Sequence, residues 1–279
     1  MSPEWSGCGR EGGILEAFDR LAGEIQHLVS EFSSAAVAGD LNAGITQYSF
    51  WLLVAAVVFC LIVFSFVKKQ SLKPHGVFVN GFEYLVDFVR NDITKGVVGD
   101  TWRQHFPFLA TVFFFILVNN FIGMIPGMKP GTGAIGSTAA LALCSFIYFV
   151  AIGMRKHGVF GYIKSLAPAG VMFPINVFVW VIEVFSLLLR PVTLAIRLFC
   201  NMFSGHIVMG SFAIMASLFA EPLIQQLNAA NAVGALPSVA WLVLLIAIYL
   251  LEFVVAFVQA YVFTLLSAVY IQTAEADSH

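Results

Sequence analysis

The sequence predicts an all-α polytopic membrane protein with about five membrane-crossing helices and an amphipathic segment lying in the membrane plane. Hydrophobic residues make up 59% of the 279 residues and charged residues only 11%, whereas about 25% is usual in soluble domains. Apolar stretches of about 20 residues, the length that crosses the hydrocarbon layer, follow one another along the chain. The formal net charge of -2 gives no reason to expect nucleic-acid binding.

Three apolar stretches have the length of ordinary spans, and they cover about residues 45–67, 106–126 and 134–154. Between the first two, residues 75–100 mix apolar and charged side chains, which indicates a helix along the membrane surface. Residues 14–32 have the spacing of an amphipathic surface helix. We therefore expect an N-terminal extracytoplasmic or interfacial segment over 1–44, a single helical membrane domain over 45–274, and a cytoplasmic tail over 275–279.

Two further apolar stretches are too long for upright spans. Residues 173–217 contain Pro174 and Pro191, so this stretch should be bent, strongly tilted or divided into two segments. Residues 238–274 carry one charge, Glu252. The two stretches are expected to form a long hairpin.

Basic residues predict the orientation of the chain in the membrane. Two loops are rich in them, one after the first span (Lys68, Lys69, Lys73) and one after the third (Arg155, Lys156, Lys164). Such loops stay in the cytoplasm. Five crossings then place the N-terminus outside and the C-terminus in the cytoplasm.

Charged residues inside the first long stretch follow a helical spacing. Glu183, Arg190 and Arg197 are separated by seven residues each, so they share a helix face unless Pro191 rotates it, and Asn201 lies near that face. An unpaired arginine near the membrane centre costs about 2.5–3.5 kcal/mol on insertion scales. Arg197 is therefore expected to face a partner or a water-filled cavity. Snorkelling to the interface or a static ion pair is the alternative, and Arg190 is expected simply to reach toward the cytoplasmic side.

The second long stretch carries Glu252 and Gln259, also seven residues apart. If Gln259 lies level with Arg197 in an antiparallel hairpin, Glu252 lies about 10.5 Å and His206 about 13.5 Å further outward, at roughly 1.5 Å per residue. A carboxylate beside an imidazole in a low-dielectric site shares a proton or forms an ion pair. The pair indicates either a proton route or a satisfied structural contact.

Patterns for other chemistry are absent from the sequence. It has no HExxH motif, no glycine-rich phosphate loop and no paired cysteine spacing. We therefore expect no metal and no cofactor. The four histidines at positions 27, 75, 105 and 157 are expected to lie outside the core spans.

Four motifs resemble, in order, those of subunit a of the F-type ATP synthase. They are FPFLATVFFFILVNNFIGMIPG (106–127), GYIKSLAP (161–168), RPVTLAIRLFCNMFSGH (190–206) and VQAYVFTLLSAVYI (258–271). Together they run over most of residues 78–272, whereas the first 75 residues match loosely.

The resemblance implies a membrane stator subunit that is not catalytic on its own. Its two long helices would be tilted and curve against a rotating ring of c subunits. Its other partners would be the peripheral-stalk b subunits, the remainder of the ATP synthase and the lipid bilayer of a bacterial plasma membrane.

The resemblance also implies roles for individual residues. Arg197 would face the proton-carrying carboxylate of the ring, with Asn201 and Gln259 flanking it. The half-channel that opens to the outside would be lined by His206 and Glu252, and the cytoplasmic one by Glu183. In some family members the positions of His206 and Glu252 carry glutamate and histidine respectively, so this chain has the same pair in the opposite order.

Two departures from the family pattern stand out. Cys200 replaces a glycine that is common there, which adds volume at a helix contact. Residues 131–143 lack an acidic residue often found in the family, so the outer half-channel is expected to depend on Ser137, Thr138 and water.

Two other functions share part of the pattern. An ion-coupled secondary transporter could also carry arginine and glutamate on broken helices, although such proteins usually show an internal repeat and none is found. A redox subunit holding haem would need deep histidines, and only His206 lies deep. Either protons or sodium ions are compatible with these residues.

Overall fold

The part of the chain that the structure describes is helical apart from one short strand pair. The computed structural model describes Gly23, Gln26 and residues 36–38, 45–69, 77–125, 127–165, 175–225 and 236–276. Two antiparallel strands, β1 (Ala36–Ala38) and β2 (Ile45–Thr46), pair Ala36 with Thr46 and Ala38 with Ile45. The predicted all-α membrane class is confirmed. The helix expected over 14–32 lies almost entirely outside the described residues.

Among the described residues, seven α-helices follow the strands: α1 (Gln47–Lys69), α2 (Val77–Phe88), α3 (Trp102–Gly123), α4 (Ile135–His157), α5 (Val159–Ser165), α6 (Ile175–Gln225) and α7 (Leu236–Glu275). A π-helix (Val89–Val98) and a 3₁₀ turn (Gly99–Thr101) connect α2 to α3. A second 3₁₀ turn, Gly131–Gly133, precedes α4.

Five helical segments among the described residues are long and apolar enough to cross a membrane. They are Gln47–Lys68, Val79–Gly123, Ile135–His157, Ile175–Glu221 and Pro237–Glu275. Their number and order confirm the prediction. The second is longer than predicted because the helical segment before α3 adjoins it. The position of residues 75–100 in the membrane plane stays a prediction.

The segment before α3 buries one of its faces. Val89 and Ile93 of the π-helix are fully buried, and the Phe82 and Phe114 rings stack with centroids 4.6 Å apart. Burial of aromatic and branched apolar side chains is the main favourable term in such packing. The apolar face of this amphipathic segment therefore packs on α3.

Residues 173–217 were predicted to be bent, strongly tilted or divided into two segments, and helix α6 excludes the last of these outcomes over its described residues. The helix runs for 51 residues through Pro191. Proline removes one backbone hydrogen bond, but Leu194 and Leu198, just after it, are almost completely buried in the core. This burial holds the next turn in helical form. Pro174 lies outside the described residues, immediately before the start of α6.

The chain divides into two compact units. The large unit consists of Tyr48–Met202 and Val255–His279, and the small unit of Met1–Gln47 and Phe203–Val254. The core of the large unit joins the π-helix, α3, α4 and parts of α6 and α7, with Leu109, Phe113, Ile116, Phe149, Leu198 and Phe263 among its fully buried side chains. The domain limits at residues 44 and 274 stay predictions.

In the small unit, α6 and α7 lie side by side and run in opposite directions. Gly205 of α6 contacts Glu252 of α7, and the rings of Phe212 and Trp241 have centroids 5.6 Å apart. The position on α7 falls as the position on α6 rises, which is the sign of an antiparallel pair. The predicted hairpin is confirmed within this unit.

Candidate functional site

Arg197 lies on the face of α6 that points away from the core of the large unit. Leu194, Ala195 and Leu198 are 2%, 6% and 0% exposed and form the inner face of the helix. The outer face is exposed and consists of Val192, Thr193, Ile196, Arg197 and Cys200. Among the described residues, none forms an ion pair with Arg197. A static ion pair between Arg197 and a described carboxylate, which was an alternative on the sequence alone, is therefore not observed.

The outer face of α6 combines apolar side chains with one fixed positive charge. Such a charge is costly against hydrocarbon. Its planar guanidinium presents five N–H donors, a geometry that suits a carboxylate, and it stays protonated at any physiological pH. The surface can therefore hold an acidic group supplied from outside the chain. Cys200 is exposed on this same face.

Asn201 and Gln259 occupy different environments. Asn201 is half-buried one turn after Arg197, whereas Gln259 is 7% exposed and lies among Ala256, Ala260 and Phe263 on the buried stripe of α7. Their predicted position on either side of Arg197 stays a prediction.

Glu183 and Arg190 form an ion pair on α6. Arg190 Nη2 lies 3.1 Å from Glu183 Oε1, and the guanidinium carbon lies 5.1 Å from the centroid of the Tyr270 ring of α7. The seven-residue spacing thus does place these two charges on one face. Arg190 therefore has partners on two helices, and the expectation that it simply reaches toward the cytoplasmic side was incomplete.

Tyr162 of α5 lies close enough to this ion pair for both charges to affect the pKa of its phenol. Burial raises the pKa of the Tyr162 phenol above its ordinary value; the positive charge of Arg190 opposes this rise and the negative charge of Glu183 adds to it. The Tyr162 ring lies against Gly153 of α4, where a Cβ atom would approach ring carbon Cε2 to 2.4 Å. A glycine at this position lets α5 approach α4.

Glu252 is buried against the backbone of α6. Glu252 is only 5% exposed, and a Cβ atom added to Gly205 would lie 2.3 Å from Glu252 Oε1. Gly205 immediately precedes the half-buried His206, so the contact agrees with the predicted register. Within the described part of the chain, Glu252 Oε1 has no hydrogen-bond partner. A buried oxygen without a hydrogen-bond partner carries a desolvation cost.

Ser137 and Thr138 have local structural contacts. Ser137 Oγ donates to the Ala134 carbonyl at 2.8 Å and also to the Gly131 carbonyl, and Thr138 Oγ1 donates to the Ile135 carbonyl at 3.0 Å. Both hydroxyls thus donate to backbone carbonyls near the N-terminus of α4, a local contact that is common for serine and threonine side chains. These contacts lend no support to the expected role of the two residues in the outer half-channel, which stays a prediction.

A polar cluster that the sequence did not predict lies at the end of α7. Glu275 accepts hydrogen bonds from Thr101 Oγ1 at 2.6 Å and pairs with His105 Nε2 at 2.9 Å, while His105 Nδ1 lies 3.1 Å from the Tyr148 hydroxyl. Lys156 Nζ also donates to the Glu275 carbonyl. His105 is 3% exposed inside α3, so its expected place outside the core spans was wrong. Because His105 and Glu275 are 170 residues apart, no local spacing signals their contact.

Metal-binding geometry does not occur in the part of the chain that the structure describes, where no group of three or more His, Cys, Asp or Glu side chains could hold an ion.

Comparison with known proteins shows the family. The family described as ATP synthase A chain matches residues 49–272. The ATP synthase subunit a of a Nocardioides species is 38% identical over 240 residues, which cover 85% of this chain and 84% of that protein. The ATP synthase subunit a of Myxococcus xanthus is 37% identical over 86% of this chain and 76% of its own length, and that of Chloroherpeton thalassium is 37% identical over 85% and 68%.

These matches cover α1 to α7 and include the exposed arginine face of α6 and the buried glutamate of α7. The chain therefore belongs to the ATP synthase A chain family and is a multi-pass membrane subunit of ATP synthase, with a part in proton transport and ATP synthesis.

Proposed function

We propose that this chain is the proton-translocating stator subunit of a rotary ATP synthase, and that Arg197 faces the c-subunit ring. The observation that supports the proposal is the exposure of Arg197 on an apolar face of a membrane-length helix. A charge in that position is tolerable only if a partner or water takes the place of lipid. A ring carboxylate supplies the missing opposite charge.

The outer half-channel would be lined by His206 and Glu252. The Glu252 carboxylate is buried against Gly205, and it can pass a proton to or from the neighbouring imidazole. A proton that enters from outside along this route neutralises one carboxylate of the ring. The neutral carboxyl can then turn into lipid at little cost, which a charged carboxylate could not do.

The cytoplasmic half-channel would contain Glu183. After nearly a full turn of the ring, the carboxyl group releases its proton toward Glu183. The fixed charge of Arg197, flanked by Asn201 and Gln259, favours the ionised ring carboxylate that remains. Because an arginine stays protonated, Arg197 cannot relay protons and so prevents a direct leak from one half-channel to the other. Each proton contributes about 2.3 kcal/mol per 100 mV of membrane potential.

The proposed function also includes the partners of the subunit and its location in the cell. The subunit has no catalytic reaction of its own and works with the c ring, the peripheral-stalk b subunits and the remainder of the ATP synthase. It lies in a bacterial plasma membrane with the N-terminus outside and the C-terminus in the cytoplasm, as the Lys and Arg distribution indicates.

Replacement of Arg197 tests the proposal directly. Arg197→Ala should abolish proton-driven ATP synthesis in membrane vesicles while the subunit still folds and co-purifies with the complex, because the substitution leaves the buried face of α6 unchanged. Arg103→Ala, which removes an exposed arginine of α3, is the matched control and should keep normal synthesis. Wild-type synthesis in Arg197→Ala vesicles would show that the proposal is wrong. Repeating the wild-type assay with and without sodium identifies the ion.

A further inference from the structure

Arg190 has contacts that the proposed function does not use. Its guanidinium binds the Glu183 carboxylate, seven residues earlier on α6, at 3.1 Å, and also lies over the Tyr270 ring of α7, at 5.1 Å from the centroid. The Arg190 side chain is 18% exposed and the Glu183 side chain 40%. The arginine is thus mostly enclosed, whereas the carboxylate beside it remains open to its surroundings.

The geometry of the pair leaves part of the carboxylate free to bind a proton. Within the described residues, the contact joins one guanidinium nitrogen, Nη2, to one carboxylate oxygen, Oε1. The other oxygen of Glu183 is not held by Arg190.

The ring of Tyr270 limits where the guanidinium can lie. A cation over an aromatic face is attracted by the negative ring face, and Tyr270 packs against the buried core residue Phe149, with centroids 5.6 Å apart. Tyr270 is therefore anchored in the large unit. Because Arg190 contacts both Tyr270 and Glu183, the fixed position of the ring also restricts the position of the Glu183 carboxylate.

From these contacts we infer that Arg190 is a positioning residue for proton exchange at Glu183: it holds the carboxylate in place between α6 and the Tyr270 ring and keeps a positive charge beside it. The inference rests on the proposed role of Glu183 in the cytoplasmic half-channel. Among the described residues, the other titratable groups recorded near the pair are the phenols of Tyr270 and Tyr162.

The test is ATP-driven proton pumping by the intact complex in inverted membrane vesicles. The cytoplasmic side faces the medium, so its pH can be varied while the lumen starts at a fixed pH. Pumping takes protons from the medium, and the rate falls as pH rises because the uptake group loses its proton. Without the neighbouring positive charge, the carboxylate keeps its proton to higher pH. Arg190→Gln should therefore move the midpoint of this fall upward by about 0.5 pH unit or more.

Four further variants separate positioning from scaffolding. Arg190→Lys keeps the charge and should restore a midpoint close to that of the wild type. Tyr270→Leu keeps both charges but removes the ring, and should cause a smaller shift of the same sign. In a Glu183→Gln background, Arg190→Gln should cause no additional shift. Arg103→Gln, an exposed arginine of α3, is the matched control and should leave the profile unchanged.

Two results would overturn the inference. One is a pumping rate that Arg190→Gln lowers equally at every pH with an unmoved midpoint, since this indicates a scaffolding role. The other, decisive if Arg190→Gln does not assemble, is an unmoved midpoint in Tyr270→Leu. Normal pumping by Arg197→Ala would instead defeat the proposed function itself, whatever the Arg190 variants show.

Discussion

The two arginines of α6 show how neighbours decide what one residue type does. Arg190 pairs with Glu183 and lies over Tyr270, whereas Arg197, two turns later, is exposed on an apolar face. Their shared spacing with Glu183 is visible in the sequence, and it correctly predicted that Glu183 and Arg190 lie on one helix face, although not that they form an ion pair. Spacing along α6 could not predict the contact with Tyr270, because that ring belongs to another helix.

Gly205 is the residue for which the smallest change should have a large effect. In Gly205→Ala the new methyl group would lie 2.3 Å from Glu252 Oε1, so the carboxylate must move. Overpacking of this kind costs about 1–3 kcal/mol, and we expect proton-driven ATP synthesis to fall roughly tenfold if Glu252 lines the outer half-channel. Synthesis rates in vesicles that contain equal amounts of complex measure the effect.

The matched control for this change is Gly136→Ala. Gly136 is a helical glycine of α4 with no atom within 4 Å of an added Cβ, so its replacement should leave synthesis unchanged. Equal activity of the Gly205→Ala and control complexes would contradict the role given to Glu252.

Exchange of His206 and Glu252 tests their predicted proximity. Each single change, His206→Glu or Glu252→His, should lower ATP synthesis because it leaves two like groups beside one another. The double exchange restores a carboxylate and an imidazole and should recover part of the lost activity. A double variant no more active than the weaker single variant would argue that the two side chains do not act together.

At the scale of the helices, the sequence predicted the number and order of the membrane-length segments, because each span needs about 20 apolar residues and the charges lie between them. Of the three outcomes predicted for residues 173–217, the division into two segments is not observed, because a local rule for proline takes no account of burial. Leu194 and Leu198, in the turns after Pro191, are 2% and 0% exposed, and their packing outweighs one lost backbone hydrogen bond.

The end of α7 is held to α3 and α4 by the Glu275 cluster, and its removal should loosen this helix. In His105→Ala, Glu275 and the Tyr148 hydroxyl lose a buried partner, which costs about 1–3 kcal/mol. We expect a lower temperature of thermal unfolding in detergent and faster proteolysis near the C-terminus.

A second histidine provides the comparison for this change. His157→Ala removes a histidine at the end of α4 that is half-buried and should change the unfolding temperature much less. Equal unfolding temperatures for His105→Ala and the wild type would contradict a stabilising role for the cluster.

For the molecule as a whole, the outer face of α6 should become inaccessible to reagents when the complex assembles. Cys200 is exposed beside Arg197 on this face, so a maleimide should label it in the isolated, detergent-solubilised chain. In the intact complex the c ring should cover it, and we expect labelling to slow at least about fivefold, since reactivity follows access of the thiolate.

The labelling experiment needs a reference thiol on another helix. Cys60 of α1 is also exposed, and its labelling in the same two preparations, with Cys8 and Cys144 replaced by serine, reports changes caused by the detergent alone. A Cys200 that reacts equally fast in both preparations would contradict a partner on this face.

The contact of Gly205 with Glu252 also constrains how the family can evolve. Because the Glu252 carboxylate occupies the space where a Cβ atom of residue 205 would lie, the volumes of the two side chains are limited together. Homologues with alanine or serine at position 205 should therefore carry a shorter or differently branched side chain at position 252. The order of the two substitutions in evolution is constrained as well. The change at position 252 must come before the change at position 205, since the reverse order passes through an overpacked intermediate.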